Sequence, residues 1–184
     1  YRLAMHLFTA LLIVSIIFWL IKNLFSKTKK VFFDFSNNNL PFLVLIFLLF
    51  VQIIIGAFVS GLDAGKIYQT WPLMGNSYFP NDLYVKNFEN FFEFNNHSLV
   101  QFYHRNLAYI ITIYIIILGI YIYKREMAYL FLPLKIFLFF LVLQGLLGIL
   151  TLISDLNIYL ASIHQITSVV LILSALNLYF YKVK

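Results

Sequence analysis

Three of the four histidines lie inside long apolar segments, near one end of each. His6, His104 and His164 each stand about five or six residues inside their segment, or ~8–9 Å along a helix. Neutral imidazole is an axial ligand of haem iron, and two histidines on facing helices hold a six-coordinate haem. An intramembrane histidine is also an interhelical hydrogen-bond donor. The pattern leaves both interpretations open.

The segments around these histidines form a weak internal repeat. Gln52 is followed four residues later by Gly56, and Gln144 by Gly148, and the last apolar segment resembles the first around its histidine. Such repeats are typical of membrane proteins built from duplicated bundles. The two glycines either give a flat macrocycle room to approach or simply let helices pack closely.

Other polar residues accompany the histidines. Arg105 follows His104 and is costly at this depth unless paired. Its guanidinium either reaches outward to a haem propionate or anchors the helix at the interface. Gln101 and Gln165 either orient the ligands or bond between helices, and His97 is expected to be solvated.

The composition excludes several classes of protein. Of 184 residues, 62% are hydrophobic and 11% are charged, whereas soluble domains carry about a quarter charged residues. The absence of cysteine excludes disulfides, iron–sulfur clusters and thiol nucleophiles. The net charge of +6 comes from basic residues between apolar segments, which indicates membrane orientation and no nucleic-acid partner.

We therefore predict an all-α membrane protein with five transmembrane helices. Each apolar run is close to or above the roughly twenty residues that a helix needs to cross ~30 Å of hydrocarbon, and isolated strands cannot satisfy their backbone in lipid. The predicted spans are Leu3–Ile21, Leu40–Ser60, Ser98–Tyr123, Ala128–Ile153 and Tyr159–Tyr181.

The connections predict the orientation. Basic residues cluster in the first and third connections and in the tail, at Lys22, Lys27, Lys29, Lys30, Lys124, Arg125, Lys182 and Lys184. The positive-inside rule then makes the second connection, residues 61–97 with Lys86, external. Its aromatic end around Phe91 either lies flat in the interface or forms a loop. Because Tyr1 almost begins a span, we expect the chain to be part of a longer protein.

Several motifs resemble those of haem A synthases. The external stretch Gly61–Gly75 is similar to the loop motif of that family, and Phe102–Asn106 and Ala161–Gln165 resemble its histidine motifs. The opening Arg2–Leu7 resembles its fourth helix. The resemblance implies eight helices in two pseudo-symmetric four-helix bundles. Residues 1–22 would then be the last helix of the first bundle, 23–39 a cytoplasmic or matrix loop, and 40–184 the second bundle.

The resemblance also implies a chemistry. It places a b-type haem between His104 and His164 and the substrate haem O at His6. With a haem at that position, the propionate interpretation given above makes Arg105 a further cofactor-binding residue. The implied reaction oxidises a methyl group of haem O to the formyl group of haem A, by successive hydroxylation and loss of water, for terminal oxidases. Haem O synthase, an electron-transfer protein and a second copy of the chain are the implied partners. The implied location is the bacterial inner membrane, or the mitochondrial one in a eukaryote.

The chain departs from the family pattern in two ways. The catalytic glutamate expected of the family lies on an earlier helix than any present here, so we expect this fragment alone to be inactive. Some relatives carry a cysteine pair in external loops, which this chain lacks, so it resembles the cysteine-free subgroup. The alternative function is a bis-histidine b-type cytochrome subunit that carries electrons and transforms nothing.

Overall fold

The computed structural model describes residues 2–82 and 88–183, with the backbone alone at residues 88 and 89. Its long helices are α1 (Arg2–Leu24), α2 (Leu40–Gly61), α3 (His97–Lys124), α4 (Phe131–Ile153) and α5 (Ile158–Lys182). Short 3₁₀ turns occur at Ala64–Lys66, Phe88–Phe92 and Ala128–Leu130. Predictions that involve Tyr1, Lys86 and Lys184 lie outside the described residues.

The predicted helical class is confirmed. All five helices are long and apolar enough to cross a membrane, and their ends lie within three residues of the predicted spans, apart from the 3₁₀ turn before α4. No strand occurs within residues 2–82 and 88–183. The aromatic segment forms a 3₁₀ turn at Phe88–Phe92, which is too short for the amphipathic α-helix that was one alternative.

The helices pack so that α3 and α5 lie diagonally. Helix α2 packs against α3 and α5, and α4 packs extensively against α5 and more sparsely against α3. Helix α1 lies outside this group, against α2 and α5. Side chains that point inward from α3 and α5 therefore face each other across the group formed by α2 to α5.

The buried core occupies one half of this group, the half that the basic connections predict to be cytoplasmic. Helix α5 buries eight residues between Leu171 and Phe180, but none between Ile158 and Val170. Trp19 stacks on Tyr179, and Lys30 donates to the carbonyl of Phe180 at 2.9 Å, which holds the first connection to the end of α5. The outer half, where both α3 and α5 carry a histidine, is packed less completely.

Candidate functional site

His104 is held by two residues of α2. The Gln52 side-chain amide donates to the His104 backbone carbonyl at 3.0 Å, and its nitrogen lies 3.2 Å from the ring Nδ1. Gly56 follows one turn later on the same face of α2. A Cβ at Gly56 would lie only 3.0 Å from the ring Cε1 of His104. The imidazole therefore occupies the space that any larger residue at this position would need.

His164 has the same surroundings on α4 and α5. The Gln144 amide donates to the His164 carbonyl at 3.0 Å, and its nitrogen lies 3.3 Å from the ring Nε2. A Cβ at Gly148 would lie 3.0 Å from Cε1 of His164. We call each glutamine and glycine pair, four residues apart, a histidine clamp. The sequence repeat thus corresponds to a repeated contact.

The two histidines lie at matching positions. Their helices lie diagonally, and each imidazole meets a glutamine and a glycine of a neighbouring helix. Nδ1 of His164 is buried without a hydrogen-bond partner, and a buried polar atom of this kind needs an explanation. Within the described residues, no three His, Asp or Glu side chains come together as metal ligands.

These features fit a haem with two histidine ligands. Such a group needs only two protein donors, a gap between facing helices, and apolar walls. The two rings, the unpaired nitrogen of His164 and the sparsely packed outer half of α5 meet those needs. Because the clamp glycines contact the histidines themselves, their first role is to seat the imidazoles.

His6 lies apart from this pair. It is exposed on α1, which packs on the outside of α2 and α5. Near it, the Leu3 side chain lies 3.5 Å from the Cβ position of Gly61, so the start of α1 meets the outer end of α2. His6 is therefore placed towards the same end of the molecule as the paired histidines.

Arg105 is a loop anchor. Its guanidinium donates to the backbone carbonyls of Tyr68 at 2.8 Å, Thr70 at 2.9 Å and Leu73 at 3.3 Å. These carbonyls belong to the 61–75 stretch, so the residue after His104 ties that loop to α3. The sequence indicated a cation needing a partner but not this partner. The predicted propionate contact remains a prediction.

A second group of bonds holds the loop to α3. Asp82 accepts hydrogen bonds from the hydroxyls of Tyr68 and Ser98, each at 2.5 Å. Partial burial raises the pKa of Asp82, but these two bonds lower it by more, so its pKa lies below the usual value. The bond to Asp82 in turn raises the pKa of Tyr68. At neutral pH the carboxylate is therefore charged and the phenol remains a donor.

The glutamines that contact the histidines are not the ones that the sequence suggested as ligand-orienting. Gln101 donates to the Tyr68 carbonyl at 2.8 Å and so belongs to the loop anchor, and Gln165 is exposed. In the sequence, Gln52 and Gln144 were recognisable only as members of the internal repeat. Their spacing from the glycines was the available signal, since residues four apart share a helix face.

Comparison with known proteins identifies the family of the chain. Residues 1–176 match the family model of the cytochrome oxidase assembly protein, COX15-CtaA. Proteins named "Heme A synthase" are 44% identical over 119 residues in Pelagibacter ubique (65% of this chain, 34% of the relative) and 40% over 119 residues in Parvibaculum lavamentivorans (63% and 33%). One from the Wolbachia of Brugia malayi is 38% identical over 123 residues (65% and 36%).

The chain spans about a third of the length of these curated relatives. The family match nevertheless covers nearly all of it, including both histidine clamps and the anchored loop. With five helices able to cross a membrane, this chain belongs to the cytochrome oxidase assembly protein family COX15-CtaA and is a multi-pass membrane protein.

Proposed function

We propose that the complete protein is a haem A synthase, which oxidises a methyl group of haem O to the formyl group of haem A for terminal oxidases. The names of the relatives support this activity. The single observation that carries our assignment of the site is the pair of histidines on diagonal helices, each seated in the same clamp. These residues would hold a b-type haem.

The chain's own residues have separate tasks in this proposal. His104 and His164 would hold the haem through their imidazole nitrogens. When bound, such a haem supplies one-electron transfer. Gly56 and Gly148 seat the two rings, and the loop held by Arg105 covers the outer end of α3. The protein would thus contribute ligation, orientation and shielding.

We assign the substrate haem O to a separate place that includes His6. The residue is exposed on α1 and is not part of the clamped pair. In this proposal residues 1–22 complete a preceding bundle, 23–39 connect the bundles, and 40–184 form the b haem bundle. Oxidation would need the complete protein, working in the bacterial inner membrane with haem O synthase and an electron-transfer protein.

To test this proposal, the full-length protein is expressed in bacterial cells that lack their own haem A synthase. We expect His104→Ala or His164→Ala to abolish the low-spin b haem spectrum of the purified protein. His6→Ala should keep that spectrum and abolish haem A in extracted membranes. His97→Ala is the matched control, since His97 is exposed at the start of α3.

The outcomes separate the alternatives. A b haem that survives the double change of His104 and His164 contradicts the ligand assignment. Bound b haem without any haem A in the wild-type protein favours the cytochrome subunit. If the His6→Ala variant still produces haem A at the wild-type level, His6 is not part of the substrate site.

A further inference from the structure

We infer that Gln52 and Gln144 are positioning residues, which fix the orientation of the two ligand imidazoles from the neighbouring helix. This inference rests on the proposed b haem site and adds to it the groups that hold its ligands. Each amide nitrogen donates to the carbonyl of a histidine, so each glutamine would act through that histidine.

The first support is the bond to the histidine backbone. Each glutamine donates to the carbonyl of a histidine on the next helix, at 3.0 Å in both cases. A carbonyl has two lone pairs, so it can accept this bond in addition to the one within its helix. The bond therefore sets the separation of the two helices at the level of the ligand.

The second support is the contact with the ring. The same amide nitrogen lies 3.2 Å from Nδ1 of His104, and the matching one lies 3.3 Å from Nε2 of His164. Gly56 and Gly148 meet the Cε1 atoms of the two rings. Each ring is thus confined by the glutamine amide and by the helix backbone at the glycine, which limits the rotation of the ring about its Cβ–Cγ bond.

The third support is repetition. Two different helix pairs, α2 with α3 and α4 with α5, present the same residue types at the same spacing and the same carbonyl distance. A glutamine that only held helices together would not need a glycine one turn away that meets the same histidine. Groups that orient metal ligands in this way usually change metal affinity about 10–100-fold when removed.

The test replaces each glutamine by methionine, which keeps the length of the side chain but removes its donor. In the full-length protein, we expect Gln52→Met and Gln144→Met to weaken b haem binding about tenfold or more. At full haem occupancy, the low-spin electron paramagnetic resonance signal should shift or broaden, because the imidazole planes are no longer fixed. Gln165→Met is the matched control, since Gln165 is exposed beside His164.

The results separate this inference from the function itself. Wild-type protein that binds no b haem overturns the proposed site. Wild-type protein that binds b haem, with both methionine variants unchanged in affinity and in resonance signal, overturns the inference and leaves the proposed function standing. If a methionine variant does not fold, Gln→Asn decides at the same position. It keeps the amide but withdraws it by one methylene, so a changed signal supports the inference and an unchanged one overturns it.

Discussion

The two histidine sites share their clamps but differ in what surrounds them. The residue after His104 is Arg105, which binds three loop carbonyls, whereas the residue after His164 is Gln165, which is exposed. The His104 side is therefore fastened from outside by a folded external loop. The connection before α5 is much shorter, and the same loop reaches it through a side-chain bond from Gln69 to Asp155 at 2.7 Å.

The His164 clamp is stabilised by a contact between its own two helices. The Thr167 hydroxyl lies 2.5 Å from Oε1 of Gln144, so the clamp amide is oriented by its own histidine helix. The matching position beside His104 is Leu107, and Oε1 of Gln52 is buried with no partner in the described part of the chain. Two histidines with equivalent clamps are thus held by different additional contacts, so we expect the two sites to tolerate different changes.

We expect the largest loss of b haem affinity when the clamp glycines are replaced by alanine. Gly56→Ala and Gly148→Ala each place a Cβ at 3.0 Å from a ring carbon, which is tighter than most packed contacts, so the imidazole must shift by a few tenths of an ångström. Overpacking of this kind costs about 1–3 kcal/mol, or roughly 5–150-fold in b haem affinity. We expect the larger loss at Gly148, because Thr167 leaves the His164 clamp less able to yield. Haem titration of the purified full-length variants measures both.

Gly145→Ala is the matched control for the glycine prediction. It lies on α4, three residues before Gly148, and a Cβ there would have nothing within 4 Å. Haem affinity should therefore stay at the wild-type value. If Gly56→Ala and Gly148→Ala behave like this control, the clamps do not seat the ligands and the equivalence of the two sites fails.

The middle effect is expected from removing the loop anchor. Arg105→Gln gives His104 the same following residue as His164 and removes three bonds from a charged donor. A hydrogen bond from a charged group contributes about 1.5–3 kcal/mol and the three are not additive, so their loss should raise hydrogen exchange in residues 61–75 by about tenfold or more. The b haem spectrum should change little, since the anchor contacts the loop. Exchange measured by mass spectrometry in detergent tests this.

The control for the Arg105 prediction is Lys66, a cation of the same loop that makes a weaker interaction. Lys66 pairs with Asp63 at 2.9 Å, but both side chains are well exposed, so the pair contributes little. Lys66→Gln removes the same charge and should leave exchange unchanged. A strong change of haem potential in Arg105→Gln, with exchange as in the wild type, would instead favour the propionate contact.

The sequence predicted what depends on helix length and apolar content. The five spans followed from runs such as Leu40–Ser60, because lipid forces such runs into helices. Helical rise also predicted one depth for His104 and His164, which remains a prediction. The fold of the loop at Gly61–Gly75 could not be predicted, because the bonds from Arg105 go to backbone carbonyls, and no side-chain pattern in the loop marks those acceptors.

The clamps illustrate the same limit within the helices. Gln52 and Gly56 were recognisable as a repeated pair, yet Gln101 and Gln165 are closer in sequence to the histidines and were the glutamines considered as orienting groups or as bonds between helices. Contacts between helices depend on the rotation of each helix about its axis. With weakly amphipathic spans that are apolar on nearly every face, the sequence says little about that rotation.

The smallest effect is expected from Thr167→Val, which makes the His164 clamp resemble the His104 clamp. The valine keeps the shape but removes the hydroxyl beside Oε1 of Gln144, and that hydroxyl also lies 2.9 Å from its own helix carbonyl at Ile163. Because the single hydroxyl hydrogen serves one acceptor at a time, the net loss should be about 1 kcal/mol, or roughly fivefold in b haem affinity. The reciprocal Leu107→Thr supplies the missing hydroxyl beside Gln52 and should narrow the low-spin resonance signal. If Thr167→Val leaves affinity and signal at wild-type values, the hydroxyl does not orient Gln144, and the two sites differ only through the external loop.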